Sequence, residues 1–488
     1  MTRTLTPYPA YKDTGIEWLG QIPAHWEVRR LKRVAQINPS KSEVSNPMRD
    51  GHAVFLPMER VGADGQYDIS EIRPISELWN GFTYFRRGDI IIAKITPCFE
   101  NGKGAWLENL PTEIGFGSTE FHVIRPHKEI TAPYLYRITT LSEFRRLGTD
   151  AMTGAAGQQR VPAEFVANFS IPLPPLAEQA AIVRFLDFVD GRIRRYTHAQ
   201  QRVIDRLTEY KQAVIHQAVT GKIDVRTGAP YPAYKDTGIE WLGQVPSHWE
   251  VCRLKSRLVK NESGIWNDRH NTHGTIVLRS TEQTISGGWR IENPARLVLS
   301  PEERETYLLQ VGDLLVTKSS GSPDHIGKTS LVTEEIASLA CAFSNFMQRL
   351  RVDKDTHPKL IWYYLNSPVG REQLIFQSTT TTGLGNLNGK MLGNCIIAIP
   401  PLAEQGAIVE YLDAQTARID AAIAAVRRMV ALVGEYRERL VADVVTGKVD
   451  VRAVAAGLPE ADALRTPFAP DDAPTLEEAL QDATDGHE

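Results

Sequence analysis

The chain of 488 residues is 42% hydrophobic and 23% charged, with a formal net charge of −4. That length accommodates several domains of about 100 to 200 residues each, and no stretch approaches the ~20 apolar residues that cross a bilayer. The N-terminus lacks the apolar core of a secretory signal, and the four cysteines show no CxxC spacing. The sequence therefore predicts a soluble, cytoplasmic protein without a membrane segment, a disulfide framework or a zinc site.

Three blocks of sequence occur twice along the chain. The opening segment (YPAYKDTGIEWLGQIPAHWEVRRLK) returns with only three differences in 25 positions, and it is joined by a PPLAEQ block and a TGK block (VTGKIDVR or VTGKVDVR). The pairs are 8–32 with 231–255, 174–187 with 400–413, and 219–226 with 445–452. Their spacings of 223 and 226 residues far exceed the tens of residues of a solenoid unit. Each copy is therefore a domain with its own connector.

The repeats divide the chain into two pseudo-equivalent halves. The predicted segments are a first domain (1–174), a central helix (175–226), a second domain (227–400), a distal helix (401–452) and an acidic tail (453–488).

Between the repeated blocks, short β-like runs alternate with turns and are followed by helical stretches. The predicted strands are 53–61, 88–95 and 120–126 in the first half, and 275–281, 312–318 and 346–352 in the second. The predicted helical stretches are 133–147 and 357–377. This pattern indicates α+β domains. The GDII and GDLL runs align, whereas the loops differ, so the halves share a framework but not a contact surface.

Each PPLAEQ block opens a long helix with a narrow, heptad-like apolar seam. The helices are predicted over Leu176–Val219 and Leu402–Val445, with a glycine of the TGK block near each end. At 1.5 Å per residue each would be about 66 Å long. The predicted seam residues are Leu186, Ile193, Leu207, Val214, Leu412, Ile419, Val426, Val433 and Leu440. A narrow seam favours pairing of the two helices with each other as a coiled coil over packing of each helix on its own domain alone. Because each helix follows one domain, antiparallel pairing would place the domains at opposite ends of the pair and fix a distance between them.

The last 36 residues are acidic. Residues 453–488 carry nine Asp and Glu against one Arg, so the preceding residues have a net charge of +4. The tail is predicted to be disordered, with a short helix near Thr475 to Leu480. It is either a solvating tail or a regulatory one that competes for a basic surface.

The ordered set of blocks, present twice over residues 8–452, closely resembles the specificity subunit of Type I restriction-modification systems. The resemblance rests on the tryptophan-containing opening segment, the GDII or GDLL strand, the PPLAEQ block and the long helix ending in TGK. It implies two target-recognition domains that each read half of a bipartite double-stranded DNA site, separated by two antiparallel helices. Because the halves diverge between the blocks, the two half-sites are predicted to differ.

The resemblance also implies partners. Two modification subunits would carry S-adenosylmethionine and methylate adenine at N6, while separate restriction subunits would use ATP and magnesium to cut DNA in phage defence. This chain would then be non-catalytic by itself and would hold no cofactor.

Candidate DNA contacts are polar residues of two loops in each half, because such side chains match base edges and phosphates. One loop follows the GDII or GDLL strand, and the other precedes the PPLAEQ block. The candidates are Lys94, Lys103, Thr153, Gln158, Gln159 and Arg160 in the first half, and Lys318, Ser319, Ser320, Lys328, Asn386, Asn388 and Lys390 in the second, where Thr380 to Thr382 and Gly383 belong to the same polar stretch.

Two other functions remain open. GSPDHIGKT at 321–329 resembles a phosphate loop and would suit a nucleotide-dependent enzyme, but five residues separate its glycines where the motif has four. The aligned NGKGAW in the first half lacks the threonine. A protein scaffold that does not bind DNA is the second alternative. No motif for a methyltransferase pocket is present, and His25 and His248 are interpreted as packing or capping residues.

Overall fold

The computed structural model describes residues 5–44, 51–155, 157–319, 325–378 and 386–459. Ser320, Thr380 to Thr382, Gly383 and the predicted tail helix lie outside these residues. The described chain forms two compact units: one contains the residues up to Gln200 and from Arg427 onward, and the other runs from Gln201 to Val426. Each unit therefore contains one domain and one half of each long helix. The five-segment division made from the sequence stays a prediction.

The first unit is built on two four-stranded sheets. One has the strand order Ile72–Pro74, His52–Leu56, Ile114–Gly117, Thr83–Arg86, with its middle pair parallel; the other is antiparallel, in the order Ala35–Ile37, Phe121–Pro126, Ile90–Ala93, Gly104–Trp106. Two-stranded pairs join Tyr11–Asp13 to Gln21–Pro23 and Glu27–Arg30 to Ser170–Leu173. The shorter helices are Leu31–Val34, Ile75–Leu78, Ala132–Thr139, Ser142–Asp150 and Ala163–Asn168, and the 3-10 turns are Lys41–Glu43 and Met58–Arg60.

The second unit repeats this plan. An antiparallel sheet has the order Leu258–Ser263, Met347–Val352, Leu314–Thr317, Thr329–Leu331, and a three-stranded sheet has the order Ala295–Leu297, His270–Leu278, Ala342–Phe343. The two-stranded pairs are Tyr234–Asp236 with Gln244–Pro246 and Glu250–Arg253 with Ile396–Ile399. The shorter helices are Pro301–Tyr307, Glu334–Ser338, Pro358–Asn366, Pro368–Ser378 and Gly389–Gly393, and the 3-10 turns are Leu254–Arg257 and Ser280–Glu282.

The predicted α+β class is confirmed, and each predicted strand overlaps a strand in the structure. The GDII and GDLL runs owe their similarity to a buried ion pair. Asp89 is 1% exposed and accepts two hydrogen bonds of 2.7 Å from Arg125, while Asp313 is fully buried and accepts bonds of 2.6 and 2.8 Å from Arg351. Each pair joins the start of one strand to its neighbour, so the motif is structural.

The two long helices begin and end as predicted, over Leu176–Val219 and Leu402–Val445. Within the second unit, Lys211 forms an ion pair of 2.6 Å with Asp420. Within the first unit, Asp190 accepts a bond of 2.6 Å from Arg437. Residue numbers thus fall along the distal helix as they rise along the central helix, which confirms antiparallel pairing.

The seam is buried in two different ways. Leu207, Ile419 and Val426 belong to a core made by the two helices alone. The ends of the seam enter the domain cores instead: Leu186 and Leu440 in the first unit, Val214 and Leu412 in the second. Ile193 and Val433 are half-buried. The helices therefore pair with each other and also pack on the domains, because each domain offers an apolar surface to the helix ends.

The start of the tail departs from the predicted disorder. Arg452–Ala455 is helical, Ala455 is 2% exposed, and Leu458 packs against the first unit's core. Apolar residues at 454, 455 and 458 provide this anchor. Within the described ranges, no helix is both long enough and apolar enough to cross a membrane.

Candidate nucleic-acid interface

A buried glutamate from the first PPLAEQ block contacts residues from separate parts of the first unit. Glu178 is 8% exposed and lies in the first turn of the central helix. Its carboxylate accepts hydrogen bonds from the indole of Trp26 at 2.9 Å and the hydroxyl of Tyr8 at 3.2 Å. The imidazole of His25 lies 2.6 Å away, and the guanidinium of Arg452 lies 3.4 Å away. Residues far apart in sequence thus converge on one carboxylate.

The second unit contains the same cluster. Glu404 is 5% exposed and accepts hydrogen bonds from Trp249 at 2.9 Å and from Tyr231, while His248 lies 2.9 Å away. Arg226 is 3.9 Å from the carboxylate. Burial raises the pKa of Glu404, but the hydrogen bonds from Tyr231, His248 and Trp249 outweigh burial and hold its pKa below the usual value. We call these two groups the glutamate clusters.

A glycine of the TGK block lets each helix end against its cluster. Gly221 and Gly447 have φ angles of 68° and 76°, which favour glycine. A Cβ at Gly221 would lie 2.3 Å from Cδ of Pro246, and one at Gly447 would lie 2.4 Å from Cδ of Pro23. The TGK block therefore packs directly on the proline and tryptophan of the opening segment.

The arginine of each cluster reaches it by a different path along the chain. Arg226 lies five residues before the opening segment of its own unit, whereas Arg452 lies more than 400 residues after the opening segment that it joins. The backbone contact is nevertheless the same, since Asp224 N donates to Ala229 O and Asp450 N donates to Thr6 O, both at 2.8 Å. The three repeated blocks recur together because they meet in one cluster. The two histidines lie in it as partners of the glutamates.

The glutamine of each PPLAEQ block fixes the start of its helix. The amide of Gln179 donates to Glu129 O at 2.9 Å and accepts from Thr131 N at 2.8 Å. Gln405 makes the same contacts with Asp355 O at 3.0 Å and His357 N at 2.6 Å. The glutamate thus binds the opening segment, and the glutamine binds the segment that precedes a shorter helix of the domain. Contacts within the domain therefore explain both polar residues of the PPLAEQ motif.

The two candidate DNA loops of the first domain lie side by side. Val161 N donates to Lys94 O at 2.8 Å, and Thr96 N donates to Gln159 O at 3.0 Å. Thr153 and Arg160 pair across the second loop through hydrogen bonds of 3.0 and 2.9 Å. Sequence positions more than 55 residues apart thus form one surface, which we call the first joined-loop surface.

An ion pair dominates this surface. The guanidinium of Arg160 donates to the carboxylate of Glu120 through Nε at 2.9 Å and Nη2 at 2.8 Å, and to Gln158 O through Nη1 at 3.0 Å. The hydrogen bond from Arg160 lowers the pKa of Glu120. Thr153 and Gln158 are exposed, whereas Lys94 and Gln159 are half-buried. Arg160 is held in one orientation with 43% of its side chain exposed.

The second domain joins its loops in the same way. Leu387 N donates to Lys318 O at 2.8 Å, and the hydroxyl of Ser319 donates to Oδ1 of Asn386 at 2.8 Å. The ammonium of Lys318 donates to Oγ of Ser263 at 2.7 Å, and burial lowers the pKa of this lysine. These residues form the second joined-loop surface.

Two further candidates lie beside the second surface. Asn388 is exposed and caps the helix Gly389–Gly393 by accepting from Met391 N at 3.0 Å. Lys390 is exposed in the same helix. Asn388 is thus committed to its helix terminus, while Lys390 offers its charge to solvent.

Lys328 corrects the predicted list of contacts, and Lys103 is its counterpart in the first domain. Lys328 is 3% exposed, and its ammonium donates to Ser280 O at 2.9 Å and Gln283 O at 3.0 Å. Lys103 is half-buried and donates to Met58 O at 3.1 Å. Both lysines bind the same 3-10 turn of their domain. Lys328 is buried among backbone carbonyls and does not present its ammonium to a DNA surface.

The segment that resembles a phosphate loop lacks that geometry in its described part. Thr329 starts the strand Thr329–Leu331, whereas a phosphate loop leads into a helix N-terminus. Gly327 and Gly102 have φ angles of 71° and 74° and lie against Arg371 and Arg145. The GK pair is therefore the same structural turn in both domains.

Two residues of the joined-loop surfaces were not predicted. Lys94 N donates to Glu120 O and Lys318 N donates to Phe346 O, both at 2.9 Å, so Glu120 and Phe346 are equivalent. Phe346 is 55% exposed. Both residues begin a predicted strand, 120–126 or 346–352, so the sequence already aligned them with each other. Only the pairing of the strands places these first residues beside the loops.

Comparison with known proteins assigns a family to this arrangement. The model of the Type I restriction modification DNA specificity domain matches residues 23–204 and 246–425, well over half of the chain. The chain belongs to this family. It is a Type I restriction-modification specificity subunit with two target-recognition domains, and such subunits are non-catalytic components of these systems.

Individual relatives agree with this assignment. The chain is 27% identical over 471 residues to the Type I restriction enzyme EcoEI specificity subunit of Escherichia coli, covering 80% of this chain and 78% of that one. It is 25% identical over 442 residues to the EcoKI specificity subunit of Escherichia coli strain K12, covering 88% and 90%. A chain from a solved structure of the type I R-M system has a similar fold, with a TM-score of 0.65 at 19% identity, covering 87% and 98%.

Proposed function

We propose that this specificity subunit directs a Type I complex to an asymmetric, bipartite DNA site, with each domain reading one half. One observation carries the proposal. The two domains share their glutamate clusters, their buried Asp–Arg pairs and the 3-10 turns bound by Lys103 and Lys328, yet their joined-loop surfaces differ. A homodimer would read a palindrome because its two reading surfaces are identical. Two different surfaces in one chain read two different half-sites.

The chemistry of the joined-loop surfaces supports DNA as the ligand. Arg160 and Asn386 are of the residue types that pair with guanine and adenine edges in the major groove, and Lys94 suits a phosphate. Thr153, Gln158, Gln159, Lys318 and Ser319 provide further donors and acceptors beside them. These residues are proposed contacts.

The features that both units share, namely the glutamate clusters and the long helices that they hold, support partner docking. We call these shared features the frame. A frame that is present twice fits two copies of one partner, here two methyltransferase subunits, with restriction subunits joining the complex through them. In this proposal S-adenosylmethionine, ATP and magnesium are bound by the partner subunits. The paired long helices set the gap between the half-sites, so deletion of about one heptad from the distal helix changes the gap in the methylated motif.

Single-molecule sequencing of host DNA tests the proposed function. Cells that carry the complete system methylate adenine in one interrupted, asymmetric motif, and removal of this chain abolishes that methylation. Exchange of residues 33–173 for those of a homologue changes only one half of the motif. Methylation that persists without the chain, or an exchange that changes both half-sites, contradicts the proposal.

A binding measurement separates DNA recognition from a protein scaffold. Affinity of the assembled complex for its site falls steeply with salt, because phosphate contacts release counterions. Binding that ignores both sequence and salt points to the scaffold.

A further inference from the structure

Arg160 and Asn386 occupy one position of the shared frame. Each forms a backbone bridge with the residue after the candidate lysine, Arg160 with Ile95 and Asn386 with Ser319. Each also precedes the residue that donates to the lysine carbonyl, since Val161 N binds Lys94 O and Leu387 N binds Lys318 O, both at 2.8 Å. Backbone hydrogen bonds, independent of side-chain type, therefore make the two residues equivalent.

Both side chains are held in place before any ligand arrives. Arg160 is fixed by the carboxylate of Glu120 and by Gln158 O, through contacts of 2.8 to 3.0 Å. Asn386 is exposed, and its amide is oriented by the hydroxyl of Ser319 at 2.8 Å. Fixing a polar side chain reduces the rotamer entropy that binding would otherwise cost. Each domain thus presents one preoriented polar group on its joined-loop surface.

This position has diverged, whereas the buried frame has not. Asp89 matches Asp313, Lys103 matches Lys328, and the glutamate clusters match throughout. At the joined loops, the support for Arg160 is Glu120, while the equivalent residue in the second domain is Phe346, 55% exposed. The support for Asn386 comes instead from Ser319. A change of the group together with its support is expected of a position that discriminates between ligands.

We propose that this shared position selects one base pair in each half-site, guanine by Arg160 and adenine by Asn386. The proposal rests on the proposed function, since it names residues that read the bipartite site. Arginine pairs with guanine through two donors, and asparagine pairs with adenine through one donor and one acceptor. Glu120 is a positioning residue that aims the guanidinium.

The experiment uses the full chain in its assembled complex and measures selection from a pool of randomised duplex DNA. Arg160→Lys keeps the positive charge but loses the planar fork, and it lowers discrimination at one position of one half-site by about 5-fold, the lower end of the value of a bidentate pair, because the ammonium still donates to guanine. Glu120→Gln lowers discrimination at the same position, because Arg160 is no longer held. Asn386→Ala lowers it at one position of the other half-site only.

Arg146→Lys is the matched control. Arg146 lies on the same domain with 62% of its side chain exposed, paired with Asp150 at 3.3 Å, and its substitution leaves the selected motif unchanged. A thermal melt confirms that each variant is folded. Because Arg160→Lys preserves the charge, it reports on base selection even where a truncation would disturb the loop.

Two results overturn the proposal. If Arg160→Lys weakens binding to every sequence by the same factor, Arg160 contacts a phosphate or only stabilises the loop. If Arg160→Lys and Asn386→Ala leave the selected bases unchanged, the position selects nothing. Failure of the proposed function looks different, since the unsubstituted complex would then select no motif at all.

Discussion

Glu178 and Glu404 accept hydrogen bonds from the same residue types in the two units, whereas Arg160 and Asn386, equally equivalent in position, share neither charge nor support. The two glutamates are at most 8% exposed, and each is contacted by residues of the two other repeated blocks, the opening segment and the TGK block. The joined loops are partly exposed, and within the described chain Arg160 and Asn386 are each held by only one or two neighbouring residues. Burial preserves the shared residues, and exposure leaves the loops free to diverge.

The largest predicted effect concerns the glutamate clusters. Glu178→Ala and Glu404→Ala each leave buried Trp and Tyr donors without their acceptor, and each lowers the free energy of unfolding by about 3 kcal/mol. Chemical denaturation measures this loss. Glu435→Ala, at an exposed position of the distal helix, is the control and changes stability by less than about 0.5 kcal/mol. A large loss for one glutamate alone would break the equivalence of the two clusters.

The paired lysines give a smaller, unequal effect. Lys328→Ala removes two hydrogen bonds from a residue that is 3% exposed and costs about 2 kcal/mol, whereas Lys103→Ala removes one from a half-buried residue and costs about 1 kcal/mol. Urea titration of the two variants measures the difference. Loss of a nucleotide-hydrolysing activity in Lys328→Ala, with stability unchanged, would revive the phosphate-loop interpretation.

The smallest predicted effect is a difference in acid sensitivity. His122 and Gln348 are opposite Ile92 and Val316 in equivalent strand registers. His122 is 4% exposed, and its burial lowers its pKa from the usual value of 6.5; nearby Lys94 also lowers it, while Val161 O and Glu120 raise it. The unfolded histidine therefore binds protons more readily than the folded one. The first domain should lose stability as the pH falls below about 6.5, by at most about 1.4 kcal/mol per pH unit.

Hydrogen exchange at pH 7.5 and 5.5, corrected for intrinsic rates, resolves this difference. Protection of the strand Phe121–Pro126 should fall with pH relative to that of Met347–Val352, and His122→Gln should remove the difference. Equal behaviour of both strands in the unsubstituted protein would exclude His122 as its source.

Much of the fold could be predicted because its signals are local or repeated. The long helices were predicted with their observed bounds, since proline pairs, a heptad seam and a terminal glycine are all visible in the sequence. The predicted strands also occur. Burial of the seam was only partly predictable, because Leu186 and Val214 pack into domain cores whose surfaces the sequence does not display.

The candidate interface was predicted less completely. The structure brings the two predicted loops of each half together, and their contact with DNA stays a prediction. Lys328 looked like a surface cation because a charged residue beside glycines usually is one, yet two carbonyls 45 and 48 residues away bury it. Glu120 was missed because nothing in the sequence links it to Arg160, 40 residues later.

That the protein is one framework used twice follows from the sequence alone, because duplication, helix periodicity and turn residues are properties of order along the chain. The reason why three separate blocks are repeated together, and the equivalence of particular loop residues, become visible only in the folded chain. Trp26 and Glu178 are 152 residues apart, and Arg452 is 274 residues from Glu178. Contacts of that separation follow from the packing of whole elements, so no local pattern encodes them.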